Sequence, residues 1–183
     1  MLRFQKGDRG AFEELVRRNT PKIHALIYRF LADPSMVEDL TQEVFLRIFR
    51  IAPRYSPSAK FSTWLYRIAA NLSFNVVRSR RKGTPKPLDV GGDDGQSGPR
   101  DVPDPHLAPP GAAGDKAELR GQVAQAIEAL PENQRMAIIL NKYEDMSYQE
   151  IAAILQCSTM AVKSLLSRAR TNLRRALLPY LEP

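Results

Sequence analysis

At 183 residues with 43% hydrophobic and 8% aromatic side chains, the chain has the material for one ordinary domain or two small ones with packed cores. Its single cysteine, Cys157, excludes an internal disulfide and fits a reducing compartment, and no apolar run approaches the ~18 residues of a membrane span. A net charge of +7 and a pI near 9.8 favour polyanionic partners, nucleic acid first and anionic membrane second.

The opening MLRFQKGDRGAFEEL lacks the apolar stretch of a signal peptide, so a cytoplasmic location is expected. The charge is uneven. Residues 1–82 carry 16 Lys/Arg against 7 Asp/Glu, residues 83–117 carry 3 against 6, and residues 118–183 carry 8 against 7. In the last stretch Lys163, Arg168, Arg170, Arg174 and Arg175 fall close together, which marks a polarised domain with one basic face.

In chain order, Phe12, Leu15, Val16, Ile23, Leu26, Ile27 and Phe30 recur at helical steps, with Pro21 expected to kink or divide the run. A second helix is predicted after Asp33-Pro34, with Asp33 as N-cap and Pro34 in the first position. Its apolar stripe is Val37, Leu40, Val44, Phe45 and Ile48. APRYSPSAK breaks the chain. A third helix is predicted from an N-cap at Ser62 to about Arg81, buried through Leu65, Ile68, Ala69, Leu72 and Val76.

Residues 83–116 are rich in Gly, Pro and Asp and poor in large apolar side chains. Such a stretch cannot bury enough surface to offset the entropy of ordering, so it reads as a flexible acidic linker. Its composition fits a passive tether; its acidity also keeps it off surfaces built for DNA. Beyond it come a helix over about 117–129 with Val123, Ala126, Ile127 and Leu130 inward, and a second opened by Pro131. No segment alternates with period two. The predicted fold is all-α: an N-terminal three- or four-helix bundle (1–82) and a C-terminal four-helix domain (117–183), joined by the linker 83–116.

SYQEIAAILQCSTMAVKSLLSRAR, residues 147–170, contains two helices of different character. Ser147 with Glu150 forms a capping-box pattern, and Ile151, Ala152 and Leu155 turn inward. Gln156-Cys157-Ser158 is a tight turn. In the next helix Val162, Leu166 and Ala169 share one face, while Thr159, Lys163, Ser164, Ser167, Arg168 and Arg170 share the other. This is a helix-turn-helix, whose second helix presents cations and hydroxyls to a major groove. The bland alternative is a helical hairpin with a solvated basic face. Cys157 reads as a small packing residue in the turn.

On the second predicted helix Asp39, Gln42, Glu43, Leu46 and Arg50 form a stripe beside the buried one. On spacing alone it is first a solvated acidic face and second a docking face for a basic protein surface. One cysteine with His24 and His106 far apart offers no metal-ligand spacing. No Gly-rich phosphate loop, nucleophile elbow or paired catalytic carboxylates appear, so no cofactor, metal or catalysis is expected.

DLTQEVFLRIFR, FSTWLYRIAANLSFNVVRSRRK and LPENQRMAIILNKYEDMSYQEIAAILQCSTMAVKSLLSRAR, in that order, resemble bacterial RNA polymerase sigma factors, specifically the extracytoplasmic-function (ECF) group of the sigma-70 family. The likeness covers roughly residues 8–82 and 117–177. It implies that Asp39, Gln42, Glu43, Leu46 and Phe49 dock on the clamp helices of the polymerase β′ subunit, the β subunit being a further contact of the bound factor. It implies that the segment after the second helix recognises and opens the minus-ten element. There Arg54, Tyr55 and Ser56 would hold a flipped base, and Lys60, Phe61, Ser62, Thr63, Trp64, Arg67 and Asn71 would supply stacking surface and cations. Trp64 equally fits a core aromatic. Arg78, Arg80, Arg81 and Lys82 would meet phosphates.

The C-terminal domain would read the minus-thirty-five element through Ser158, Thr159, Lys163, Ser164, Ser167 and Arg168, with Arg135 and Tyr148 on DNA backbone. Relatives often carry Pro at the place of Ser158 and Arg at that of Leu165, so promoter preference should differ from theirs. The likeness further implies an anti-sigma partner, a linker directed to the polymerase active-site cleft, and a monomer that binds promoter DNA weakly alone. The rival readings are a stand-alone helix-turn-helix regulator, which would bind an operator tightly without polymerase, and a protein that only sequesters polymerase.

Overall fold

Helix α2, Arg9–Leu31, begins where the Asp8 carboxylate accepts the Ala11 N–H at 3.0 Å. It runs undivided through Pro21, against expectation. An interior proline costs roughly 3 kcal/mol. Here Leu15 before it and Ile23, Leu26 and Ile27 after it are all buried, and packing of both sides offsets the loss. Asn19 and Thr20 also donate back to the Leu15 and Val16 carbonyls. The helix ends at Ala32, in the left-handed region at φ 52.

The computed structural model describes residues 1–57, 60–81 and 114–181, with side chains from 118 to 180 in the last stretch. A short helix α1, Leu2–Gln5, precedes α2. Asp33 caps as predicted, but what it caps is a 3-10 turn, Pro34–Met36, that leads into α3, Val37–Ile51. A second 3-10 turn, Ala52–Arg54, leaves α3. Helix α4, Phe61–Arg81, starts ahead of Ser62, because the Lys60 carbonyl already accepts the Trp64 N–H at 3.3 Å. Ser62 therefore lies inside the first turn rather than capping it.

The second half comprises α5, Gly114–Glu128; α6, Glu132–Lys142; α7, Tyr148–Leu155; and α8, Thr159–Leu181. Helix α5 takes in Gly114–Lys116, which composition assigned to the linker. A helix nucleated by packing of Ala126 and Ile127 extends backward at the small cost of propagation. The rest of the predicted linker lies outside the described residues. Among those described there is no strand, so the all-α expectation holds.

The two halves share one apolar core. It runs from Leu15 and Phe30 of α2 through Leu65 and Leu72 of α4 to Met136, Ile151, Val162 and Ala169 of the second half. Helix α4 packs on α7, and α2 on α5 and α6. Phe30 meets Phe74 edge-on at 5.3 Å.

Candidate nucleic-acid interface

On α3 the buried face and the acidic stripe separate cleanly. Leu40, Val44 and Ile48 are fully buried, whereas Leu46 and Phe49 are 50% and 53% exposed. Asp39 and Gln42 are exposed beside them, and half-buried Glu43 accepts from Arg47 at 2.7 Å with Arg50 at 4.0 Å. The structure thus brings Asp39, Gln42, Glu43, Leu46 and Phe49 onto one accessible flank.

The segment between α3 and α4 gathers three rings. Tyr55 lies 5.0 Å from Trp64 and 6.2 Å from Phe61, and Phe61 lies 5.9 Å from Trp64. All three are half-buried, so each keeps an accessible face suited to stacking on an unpaired base. Trp64 therefore belongs both to the core margin and to the surface. Arg54, Ser56, Ser62 and Asn71 are exposed and Arg67 is half-buried. Sequence reading missed a cleft of about 300 Å³ lined by Arg47, Arg50, Ile51, Ile68 and Asn71.

Lys60 and Thr63 behave differently. Lys60 just ahead of α4, and Thr63 and Tyr66 on it, recur at three-residue steps, and α4 packs on α7. The Lys60 amine donates to Glu150 at 2.9 Å, Thr63 is 4% exposed, and the Tyr66 hydroxyl donates to Glu144. Burial pushes the Glu144 carboxyl above its ordinary value, and burial likewise raises the Tyr66 phenol. Arg29 sits 3.8 Å from Glu144 and over the Tyr143 ring at 4.5 Å. Glu150 is held down to about 2, chiefly by Lys60 and then by Ser147.

The helix-turn-helix forms as predicted, except that Ile154 rather than Leu155 joins Ile151 and Ala152 in the core, Leu155 being half-buried. Ser147 and Glu150 form both arms of the capping box. Gln156 takes the left-handed conformation at φ 54, and the Cys157 N–H donates to the Ala152 carbonyl at 3.0 Å. The Ser158 hydroxyl oxygen accepts the Ala161 N–H at 3.1 Å, so this residue caps α8. Val162, Leu166 and Ala169 are fully buried. Ser158, Thr159, Lys163, Ser164, Ser167 and Arg168 are all exposed on the opposite side. Half-buried Cys157 has its thiol raised by burial.

Two residues assigned to DNA backbone are engaged internally. The Tyr148 hydroxyl accepts from Arg170 at 3.4 Å. Arg135 donates to the carbonyls of Phe30 at 2.8 Å, Leu130 at 3.2 Å and Glu128, and lies 5.5 Å over the Phe30 ring. Of the arginines assigned to phosphates, Arg80 pairs with Asp33 and Arg81 with Glu132, the latter at 2.9 Å, while Arg78 is exposed. Lys82 lies outside the described residues. No cluster of metal-ligating side chains and no membrane-spanning helix occurs among the described residues.

A bundle with an acidic, apolar flank, an aromatic loop and a separate helix-turn-helix has counterparts among known proteins. Residues 15–83 match Sigma-70 region 2, and residues 120–173 match Sigma-70, region 4. The RNA polymerase sigma-H factor of Pseudomonas aeruginosa is 37% identical over 181 residues, covering 98% of this chain and 92% of the relative. The ECF RNA polymerase sigma-E factor of Escherichia coli K12 is 35% identical over 181 residues, covering 98% and 93%. Among solved structures, CnrH in complex with the cytosolic domain of CnrY has a TM-score of 0.68 at 26% identity, covering 96% of this chain and 92% of that one. RpoE of Bartonella quintana, solved with NepR, shares the fold at a TM-score of 0.66, 23% identity and coverage of 91% and 96%.

The chain belongs to the sigma-70 family of RNA polymerase sigma factors. Within that family it stands with the ECF group: it binds core RNA polymerase and directs promoter recognition, DNA opening and transcription initiation.

Proposed function

We propose that the chain divides this work between residues 1–82, which grip polymerase and open the minus-ten element, and residues 117–183, which read the minus-thirty-five element, with 83–116 as the linker. Asp39, Gln42, Glu43, Leu46 and Phe49 form the polymerase-docking flank. Arg54, Tyr55, Ser56, Lys60, Phe61, Ser62, Trp64, Arg67 and Asn71 hold and stack the opened strand, with Lys60 released from Glu150, joined by buried Thr63 once its cover moves away. Ser158, Thr159, Lys163, Ser164, Ser167 and Arg168 face the upstream groove. Arg135 and Tyr148 flank that surface toward the DNA backbone, and Arg135 also ties the second half to Phe30 of the first.

The observation that carries this reading is the flank on α3. Leu46 and Phe49 are half exposed on a helix that buries every other large apolar position apart from Ile51 at its last residue. Two such side chains beside Asp39 and Gln42 suit a partner surface that is part apolar and part cationic. The setting is the cytoplasm, and the factor has no catalytic chemistry of its own. Likeness to sigma-E factors supports a stress or envelope response. Likeness to CnrH, solved with a cytosolic domain of CnrY, supports an anti-sigma partner.

The test is a pull-down with core polymerase followed by run-off transcription. Replacing Asp39, Gln42 and Glu43 together by alanine is expected to lower core association at least tenfold and abolish run-off product, with the helical spectrum unchanged. Undiminished association of that variant overturns the assignment. Tight binding of a DNA duplex by the chain without polymerase would instead favour a stand-alone regulator.

A further inference from the structure

We propose that Gln5 positions the minus-ten loop, and that the α1 turn is a strap across the root of that loop. The inference rests on reading Arg54–Ser56 as a base-contacting loop. Gln5 Nε2 donates to the Ala52 carbonyl at 2.7 Å and to the Tyr55 carbonyl at 2.8 Å, across 47 and 50 residues of sequence. Those carbonyls flank Pro53 and Arg54 in the 3-10 turn that ends α3, and the Tyr55 N–H closes the same turn on Ala52 at 3.0 Å. One amide thus spends both hydrogens on the two ends of one turn. It sets their separation, and with it the direction in which the Tyr55 ring leaves toward Trp64.

A four-residue helix is far too short to persist alone. Something must hold it, and the contacts are specific. Phe4 lies 4.7 Å from Phe12 and 5.4 Å from Phe49, while Phe12 and Phe49 lie 5.4 Å apart. Gly7, at φ 94, supplies the left-handed return into the Asp8 cap. No residue of α1 is buried, so the strap lies at the margin of the core, and its two amide bonds act on the loop. Phe49 also belongs to the polymerase-facing flank, so the strap is anchored on the surface that docks. Nothing in the composition of LRFQ signals this; the contact exists only because the fold brings α1 over the end of α3.

The test uses holoenzyme assembled from core polymerase and the full chain. The probe is a promoter fragment selected from randomised duplexes with wild-type holoenzyme, carrying 2-aminopurine in the minus-ten element. Gln5→Ala removes both donors. Gln5→Glu keeps the shape and points a carboxylate at two carbonyls. Core affinity and melting temperature are expected to stay at wild type in both. Open-complex formation should fall roughly three- to tenfold, more for Gln5→Glu, and discrimination should narrow at the base positions where Tyr55→Ala narrows it. Wild-type opening and discrimination in both Gln5 variants, with Tyr55→Ala impaired, overturns the strap and leaves the loop as reader. Unimpaired Tyr55→Ala overturns both. Lower melting temperature and core affinity with base discrimination intact makes Gln5 merely structural and also overturns the proposal.

Discussion

Arg135 concentrates three jobs in one guanidinium. Among the carbonyls it satisfies, Phe30 at the end of α2 and Glu128 at the end of α5 are groups a helix leaves without partners, and Leu130 lies in the turn just after α5. A cation there also meets the negative ends of two helix dipoles. Burial lowers its affinity for the proton, yet an arginine stays charged, so the hydrogen bonds remain charge-assisted. Arg135→Ala is expected to destabilise the chain by about 2–4 kcal/mol in urea unfolding. Arg135→Lys should recover less than half, because a single ammonium cannot fork between two helix ends. The family resemblance places this residue on DNA backbone; its contacts to these carbonyls carry no local sequence mark, because Phe30 lies 105 residues away.

At the scale of elements, α8 separates packing from recognition. In its first half Val162, Leu166 and Ala169 are fully buried while Lys163, Ser164, Ser167 and Arg168 are exposed, so charge changes on that outer face leave the core alone. Lys163→Ala in the holoenzyme should weaken promoter binding, with the slope of log K against log salt falling by about one if the contact is a phosphate. An unchanged slope would place Lys163 off the DNA. The helix-turn-helix was legible in advance because its signals are local: a capping box three residues long, a turn, and two helical stripes. Helix α2 shows the limit. Pro21 locally argues for a break, but burial on both sides outweighs it, and burial is a property of neighbours far along the chain.

The whole molecule closes on itself through polar groups that cross the boundary between halves. Lys60 meets Glu150, Tyr66 and Arg29 meet Glu144, and Arg81 meets Glu132. Glu150 lies below its ordinary value, so its support is present above the ordinary carboxylate range and is lost as pH falls through about 2. Lys60 is raised by the same partner, so its support is present below its ordinary value and is lost as pH rises through the raised one. Across the neutral range this pair is constant.

Glu144 is raised by burial, with Tyr66, Arg29, Lys22 and Asp145 around it. Its support is complete below its ordinary value of 4.5 and is lost as pH rises through the raised one. The closed form should therefore tighten as pH falls through the raised value toward 4.5, seen as a smaller radius of gyration in X-ray scattering. Glu144→Gln should remove that dependence. A radius that grows on acidification would show that Glu144 does not govern closure.

What the sequence determined by itself was whatever repeats over a few residues. The all-α class, the buried stripes of α3 and α8, the Asp33 and Ser147 caps and the turn at Gln156 all follow from 3.6-residue periodicity and side chains that bond their own backbone. The tertiary structure alone decided which surfaces stay free. Thr63 is expected to face DNA but is buried, and Lys60, though exposed, is paired with Glu150; Arg135 is expected on DNA backbone, and both it and Gln5 satisfy backbone carbonyls distant in sequence. The physical reason is that a polar side chain is assigned by the nearest unsatisfied partner in space, and in a folded chain that partner is brought there by burial of apolar faces elsewhere.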